Sequence, residues 1–183
     1  MSVETPPWVV ESTRVLAETR VLTVHERIAR SGLDPDRRAP FVAITCPDWV
    51  NVIARTGSGD VVLVRQYRHG TQSLTVEIPG GMVDPGEDML EAGLRELREE
   101  TGYGGGSARL IGVVEPNPAI QTNRCGTVLV EGVRLLGAQD PDPNEEIAVG
   151  TAPLAEVQEM MRDGRITHAL VVAAFQHLAL SGG

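Results

Sequence analysis

Between Gly81 and Tyr103 the chain reads GMVDPGEDMLEAGLRELREETGY, and no other stretch restricts the fold and chemistry as much. Pro85 and Gly86 read as a loop. A helix is expected to start near Glu87 and to stop at Gly102, the residue type favoured just past a helix end. Asp84, Glu87 and Asp88 bring negative charge to the positive end of that helix. At about 100° per residue, Leu90, Leu94, Leu97 and Thr101 form one stripe, expected to face the core. Glu96, Glu99 and Glu100 cluster on another face through i+3 and i+4 spacing. Ala92 and Gly93 lie one turn earlier and are expected to leave that face accessible. Gly93 inside a helix should cost about 1 kcal/mol relative to alanine. Carboxylates this close repel one another unless a cation sits among them. Hard divalent cations such as Mg²⁺ accept such oxygen ligands together with waters and phosphate oxygens. Charge alone does not decide the matter, because RELREE could equally be a solvated face with Arg95 and Arg98 in ordinary salt bridges.

The spacing decides it. Gly81 is followed by five residues, Glu87, seven residues, and then Arg95-Glu96-Leu97-Arg98-Glu99-Glu100-Thr101-Gly102-Tyr103. At roughly 5–10% per residue type, nine specified positions coincide by chance in well under one window per million. This pattern resembles the Nudix box, with Tyr103 in place of a bulky aliphatic residue. The whole chain resembles a Nudix hydrolase of the ADP-ribose or nucleoside-diphosphate-sugar pyrophosphatase type. The resemblance implies metal binding by Glu96, Glu99, Glu100 and the backbone carbonyl of Gly80, with Mg²⁺ as cofactor and Mn²⁺ as a substitute. It also implies catalytic roles for Glu99 and Glu100, and Arg95 paired with Glu87 as a brace. Metals at such a site neutralise a diphosphate, orient it and acidify the attacking water.

Further segments extend the resemblance. Val64-Arg65-Gln66-Tyr67-Arg68 is similar to the VRQYR signature of these pyrophosphatases. Guanidinium forks match phosphate oxygens, so Arg68 is the expected phosphate contact. Arg65 is either a second contact or an internal salt bridge to Glu77, and Tyr67 reads as packing. Glu77-Ile78-Pro79-Gly80-Gly81 resembles the ELPAG-type segment, with glycine at position 80 where alanine is usual. Glu77 is either a site carboxylate or a structural partner. The proline-rich stretch from Pro116 to Arg124 is similar to the segment near the terminal ribose pocket, which makes Asn117, Gln121 and Asn123 candidates for sugar hydroxyls. In related enzymes a glutamate of a late acidic loop closes over the diphosphate as general base or holds a metal. Here that loop carries Asp140, Asp142, Glu145 and Glu146; Glu145 aligns best and Glu146 is the alternative. Related enzymes stack the base on aromatics of the N-terminal region. Trp49 and Trp8 are the only tryptophans, and Trp49 could equally be core.

Composition limits the classes that remain. A length of 183 residues with 42% hydrophobic content suits one core plus a small appendage. A net charge of −9 argues against nonspecific nucleic-acid binding. Cys46 and Cys125 lack metal-ligand spacing and read as thiols of a reducing compartment. No basic segment followed by an apolar stretch opens the sequence, and no apolar run reaches membrane length, so a cytoplasmic enzyme without membrane partners is expected.

Strands are expected over residues 8–17, 21–29, 41–45, 49–55, 61–67, 74–78, 108–114, 125–133 and 146–151. The stretch from Ser31 to Pro40 reads as a loop. Helices are expected over 153–163 and 168–180, the last capped by Thr167. This pattern is compatible with a Nudix α/β/α sandwich, a mixed sheet with a small N-terminal β extension, and the resemblance selects it. Residues 1–45 are then an N-terminal β subdomain, expected to pair two subunits into a homodimer, and 46–183 the hydrolase domain. The implied substrate is a small nucleoside diphosphate sugar of the ADP-ribose, ADP-glucose or GDP-mannose class, cleaved to a nucleoside monophosphate and a sugar phosphate. The alternatives are a Nudix enzyme for nucleoside triphosphates, capped RNA or dinucleoside polyphosphates, and a non-catalytic domain that binds a nucleotide sugar.

Overall fold

A computed structural model describes residues 5–140 and 145–182. The chain forms two compact units, one running to Pro47 and including Glu115–Asn123, the other comprising Asp48–Val114 and Arg124 onward. In the first unit β1 (Val9–Glu18), β2 (Thr23–Arg30) and β3 (Arg38–Thr45) make an antiparallel sheet in that order. Glu11 on β1 bridges Arg30 of β2 and Arg38 of β3, at 3.1 and 3.0 Å. Strand β3 begins inside the stretch expected to be a loop. Its Pro40 is tolerated because β3 is an edge strand of its sheet, with β2 as its one partner strand among the described residues. The 115–123 segment docks on β3 through Ile44 N–H to Ile120 O at 2.7 Å and Thr122 N–H to Ile44 O at 3.1 Å.

The second unit is an α/β/α sandwich. Its strands are β4 (Trp49–Thr56), β5 (Val61–Arg68), β6 (Ser73–Glu77), β7 (Gly80–Met82), β8 (Tyr103–Gly104), β9 (Ser107–Val114), β10 (Cys125–Leu135) and β11 (Ala148–Ala152). The sheet order is β11-β5-β4-β10-β8, with β6 on β5, β7 on β4 and β9 on β10. It is mixed, since β4 and β10 run parallel while β5 is antiparallel to both β11 and β4. The helices are α1 (Met89–Thr101), α2 (Leu154–Arg162) and α3 (Ala169–Leu180). Alternate residues of the central strands feed two cores, as strands covered on both faces require. Val50, Val52, Val62 and Val128 pack with Ala92 and Leu97 of α1. On the other face Ile53, Leu63 and Leu129 pack with Val157, Val171 and Phe175 of α2 and α3. None of these helices is long and apolar enough to cross a membrane, among the described residues.

Strands β4 and β5 pair only where they meet, at Arg55 and Val61 beside their tight turn. Beyond it they diverge. β6 continues the β5 side and β7 the β4 side, and Val52 N–H donates to Pro79 O at 2.8 Å to fix the crossover. The divergence opens a wedge in the sheet, with Gly80 and Gly81 on its edge.

Helix α1 starts two residues later than expected, because Asp88 is its cap. Asp88 accepts from Leu90 N and Glu91 N, and Glu91 bonds back to the Asp88 amide, a capping box. Gly102 ends the helix at φ 72°, the left-handed conformation glycine adopts readily. The faces differ from the sequence expectation. Leu97 and Thr101 are buried, but Leu94 is exposed, and Ala92 and Gly93 are buried rather than open to ligands. The reason is close approach to the sheet: a Cβ on Gly93 would lie 3.0 Å from Val128 Cγ2 and 3.3 Å from Val50 Cγ2. Helix α3 also departs from expectation, since its cap position is His168, not Thr167, and carries no side-chain cap bond.

The packing at Gly93 has a direct consequence. Gly93→Leu should lower unfolding free energy by about 1–3 kcal/mol through overpacking, although leucine is the better helix former. Urea unfolding checks this, and unchanged or raised stability would contradict the close contact of α1 with β4 and β10.

Candidate active site

Two glycines of β7 face two glutamates of α1. Gly80 N–H donates to Glu100 Oε2 at 3.0 Å. A Cβ on Gly81 would lie 2.3 Å from Glu96 Oε1, so the missing side chain is the space the Glu96 carboxylate fills. A Cβ on Gly80 would lie 2.2 Å from Val50 O and 2.9 Å from Asn51 Oδ1, which explains glycine at this position here. Glu100 is 3% exposed, and burial pushes its carboxyl up to about 8, against the Gly80 amide and with help from the charges of Glu96 and Glu145. Glu96 is raised too, chiefly by burial, with Arg95 opposing.

Arg95 braces this group. Its Nε and Nη2 meet both oxygens of Glu87 at 3.0 and 2.9 Å, Nη2 also reaches Met82 O, and Nη1 is shared by Glu96 at 2.9 Å and Glu99 at 3.1 Å. The fork holds Glu87 below the usual carboxylate range. Because Glu96 and Glu99 turn to Arg95 while Glu100 turns to Gly80, no three acidic, histidine or cysteine side chains converge on one point among the described residues. The donors nonetheless suit a hard cation. They are all oxygens, and Glu96 and Glu100 are disfavoured as anions where they stand.

Across the wedge edge, Arg68 gives a two-pronged bond to Glu77, Nε to Oε1 at 2.9 Å and Nη2 to Oε2 at 2.7 Å. Thr75 Oγ1 donates to the same Glu77 Oε1 at 2.6 Å. Burial works against the Glu77 charge, but these bonds outweigh it and hold the carboxyl below its usual range. Sequence reasoning missed Thr75, although its strand parity with Glu77 could have found it. The partner of Glu77 is therefore Arg68 and not Arg65. Arg65 pairs with Val76 and Ala148 on the opposite face of β5, exposed, beside Leu74 and Glu146. Tyr67 is exposed against His69, not core.

Glu145 is exposed, and its charge acts on Glu96, Glu100 and Arg68. Glu146 instead lies beside Arg65. Asp142 lies outside the described residues. Three hydrogen bonds that no local motif signals hold Gln139 and Asp140: Asp140 N–H donates to Glu99 O at 2.8 Å, and the Gln139 amide donates to both Glu100 O and Ile147 O. Gln139 thus ties the end of α1 to the approach to β11. Asn117 and Gln121 belong to the other compact unit, where Asn117 O accepts from Ile120 N and Gln121 N and Gln121 bridges to Ile44. Asn123 is buried there with both side-chain polar atoms unpartnered. Trp8 packs edge-on against Phe41 in that unit, with ring centroids 5.0 Å apart.

A cavity of about 680 Å³ starts at Gly80, Gly81 and Arg68 and runs into the wedge past Trp49 and Asn51 to the start of α3. Trp49 is therefore a cavity wall and not core. Oxygen donors for a cation, a fixed guanidinium and an adjoining cavity form a site able to hold a phosphoanhydride and cleave it with water.

Known proteins resemble this chain in sequence and in fold. The family model of the Nudix domain matches residues 47–175. An ADP-ribose pyrophosphatase of Bacillus subtilis (strain 168) is 29% identical over 135 residues, 73% of this chain and 73% of that protein. The methanol dehydrogenase activator of Bacillus methanolicus is 31% identical over 135 residues, with 73% of each chain covered. A crystal structure of an ADP compounds hydrolase superposes with a TM-score of 0.84 at 22% identity, covering 97% of this chain and 95% of that one, and shows the shared fold.

The Glu100 environment sets a pH dependence for the metal-free protein. A carboxyl raised in the fold contributes stability that is present below its unfolded value and lost as pH rises through about 8. Glu77 and Glu87 have the opposite sign, but their contributions are already complete above the unfolded carboxylate range. The thermal midpoint of protein in a chelator should therefore fall from about pH 5 to pH 8, and Glu100→Gln should flatten the slope. A midpoint independent of pH in the parent protein would contradict the buried state of Glu100.

Proposed function

This chain belongs to the Nudix family and is a Nudix hydrolase, and on that premise we propose that it hydrolyses the diphosphate of a nucleoside diphosphate sugar. The substrate is of the ADP-ribose, ADP-glucose or GDP-mannose class, and the products are a nucleoside monophosphate and a sugar phosphate. One observation carries the reading: Arg68, a phosphate-matching group, shares a cavity with the glycine pair that anchors the box glutamates. The name of the Bacillus subtilis relative, an ADP-ribose pyrophosphatase, supports the same substrate class.

In this reading Glu96, Glu99, Glu100 and the Gly80 carbonyl hold Mg²⁺, with Mn²⁺ as a substitute. A bound cation there supplies charge neutralisation and a more acidic water. Arg95 keeps Glu96 and Glu99 near their places through its bonds to Glu87. Arg68 has Nε and Nη2 committed to Glu77, which leaves Nη1 to meet a phosphate oxygen. Glu77 and Thr75 thus act by orienting Arg68. Glu145, the loop glutamate that aligns best in the resemblance, takes the proton of the attacking water, and its charge acts on Glu96 and Glu100. Residues 1–45 form the N-terminal subdomain and 46–183 the hydrolase domain. A homodimer through the N-terminal sheet accounts for the exposure of Val9, Val10, Val15 and Leu16 on β1. The cytoplasm is the setting this reading assigns.

Turnover with Mg²⁺ on ADP-ribose, ADP-glucose, GDP-mannose, UDP-glucose, diadenosine polyphosphates and nucleoside triphosphates tests the proposal, with products identified. Monophosphate release from one or more sugar nucleotides is expected. Glu100→Gln and Glu145→Gln should each lower kcat by about a hundredfold or more while circular dichroism stays unchanged. Turnover confined to triphosphates, or parent-like turnover of Glu100→Gln, would overturn it.

A further inference from the structure

The last turn of α1 presents carbonyls that the helix itself cannot satisfy. The stretch that follows β10 takes them. Leu136 N–H donates to Gly102 O at 2.9 Å, Asp140 N–H to Glu99 O at 2.8 Å, and the Gln139 amide to Glu100 O. Arg98 Nη1 joins the same stretch by donating to Gly102 O at 2.9 Å and Ala138 O at 3.4 Å. The approach is close, since a Cβ on Gly102 would lie 2.2 Å from Gly137 O. The turn that carries Glu99 and Glu100 is thereby fastened to Leu136, Gln139 and Asp140.

Gln139 does more than close a helix. A carboxamide nitrogen carries two hydrogens, and the bond to Glu100 O uses one. The other goes to Ile147 O at 3.1 Å, eight residues further on. Ile147 stands directly before β11 and two residues after Glu145. Two residues of chain reach about 7 Å at most, so holding Ile147 limits where Glu145 can stand. The two neighbouring glutamates take different surroundings: the charge of Glu145 acts on Glu96 and Glu100, whereas Glu146 lies beside Arg65.

We propose that Gln139 is a positioning residue: by joining Ile147 O to Glu100 O through one amide group, it sets the separation between Glu145 and the glutamates of α1. The proposal rests on the reading in which Glu96, Glu99 and Glu100 hold a divalent cation with Glu145 beside them. The link is short because the carbonyl held at one end belongs to Glu100, whose own carboxylate is in the site. Gln139 is exposed, so its bonds compete with water and its effect is a matter of several-fold.

Calorimetric titration of Mn²⁺ into four substrate-free proteins tests this: the parent, Gln139→Leu, Glu145→Gln and the double variant. Gln139→Leu should weaken Mn²⁺ binding by about twofold to tenfold in the parent background and by nothing further when Glu145→Gln is already present. Gln139→Lys keeps N–H donors at similar reach and should recover most of the loss. A residue that only closed the helix end would weaken binding by the same factor in both backgrounds. That result overturns the proposal, as does parent-like binding by Gln139→Leu. Turnover of ADP-ribose and the other sugar nucleotides separates the two claims. Non-additive Mn²⁺ affinities with no sugar nucleotide hydrolysed leave the anchor standing and remove the function. Hydrolysis with additive affinities does the reverse.

Discussion

The contact between Gly80–Gly81 and Glu100–Glu96 is the constraint on which the rest of the site depends. Backbone without side chains lets two carboxylates of α1 reach the edge of the sheet. The Gly80 amide fixes one of them, and the absent Gly81 side chain gives volume to the other. Burial then makes both glutamates poor anions in the absence of a cation. Such a group costs stability unless its charge is compensated. Arg95 compensates part of the charge, but its fork is largely taken by Glu87, and Glu100 is outside its bonds.

A second feature works at a larger scale. One pairing, Arg55 with Val61, joins β4 to β5, and their divergence opens a wedge within the sheet without interrupting either core. The cavity wall carries Arg68 and the glycine pair together with Trp49, Asn51 and the start of α3. The bonds from Thr75 and Arg68 to Glu77 fix where the Arg68 guanidinium stands.

Local rules carried the reading of the sequence far where the controlling interactions are local. The end of α1 follows from Gly102, while its start, set by the Asp88 cap, lies two residues past the one expected, and the Arg95–Glu87 brace follows from the box resemblance. Strand positions on β4, β5 and β10 follow from their apolar runs. What failed depends on which face meets which neighbour. Helical periodicity groups Ala92 and Gly93 with the glutamates, yet only the approach of Val50 and Val128 shows that this turn is buried. Arg65 and Arg68 look alike in sequence, while strand parity and the β5–β6 register send them to opposite faces. Gln139 carries no motif, because its partners are backbone carbonyls at Glu100 and Ile147, far apart along the chain. The wedge cavity likewise belongs to strand divergence, which no residue pattern encodes.

The most direct test of the central claim is calorimetric titration of Mn²⁺ into the substrate-free protein at pH 7, in two buffers of different ionisation enthalpy. If Glu100 is held largely protonated until a cation arrives, binding should release about one proton per metal, and Glu100→Gln should abolish most of that release and weaken binding. Binding of the parent protein without proton release, or equal binding by Glu100→Gln, would contradict the account.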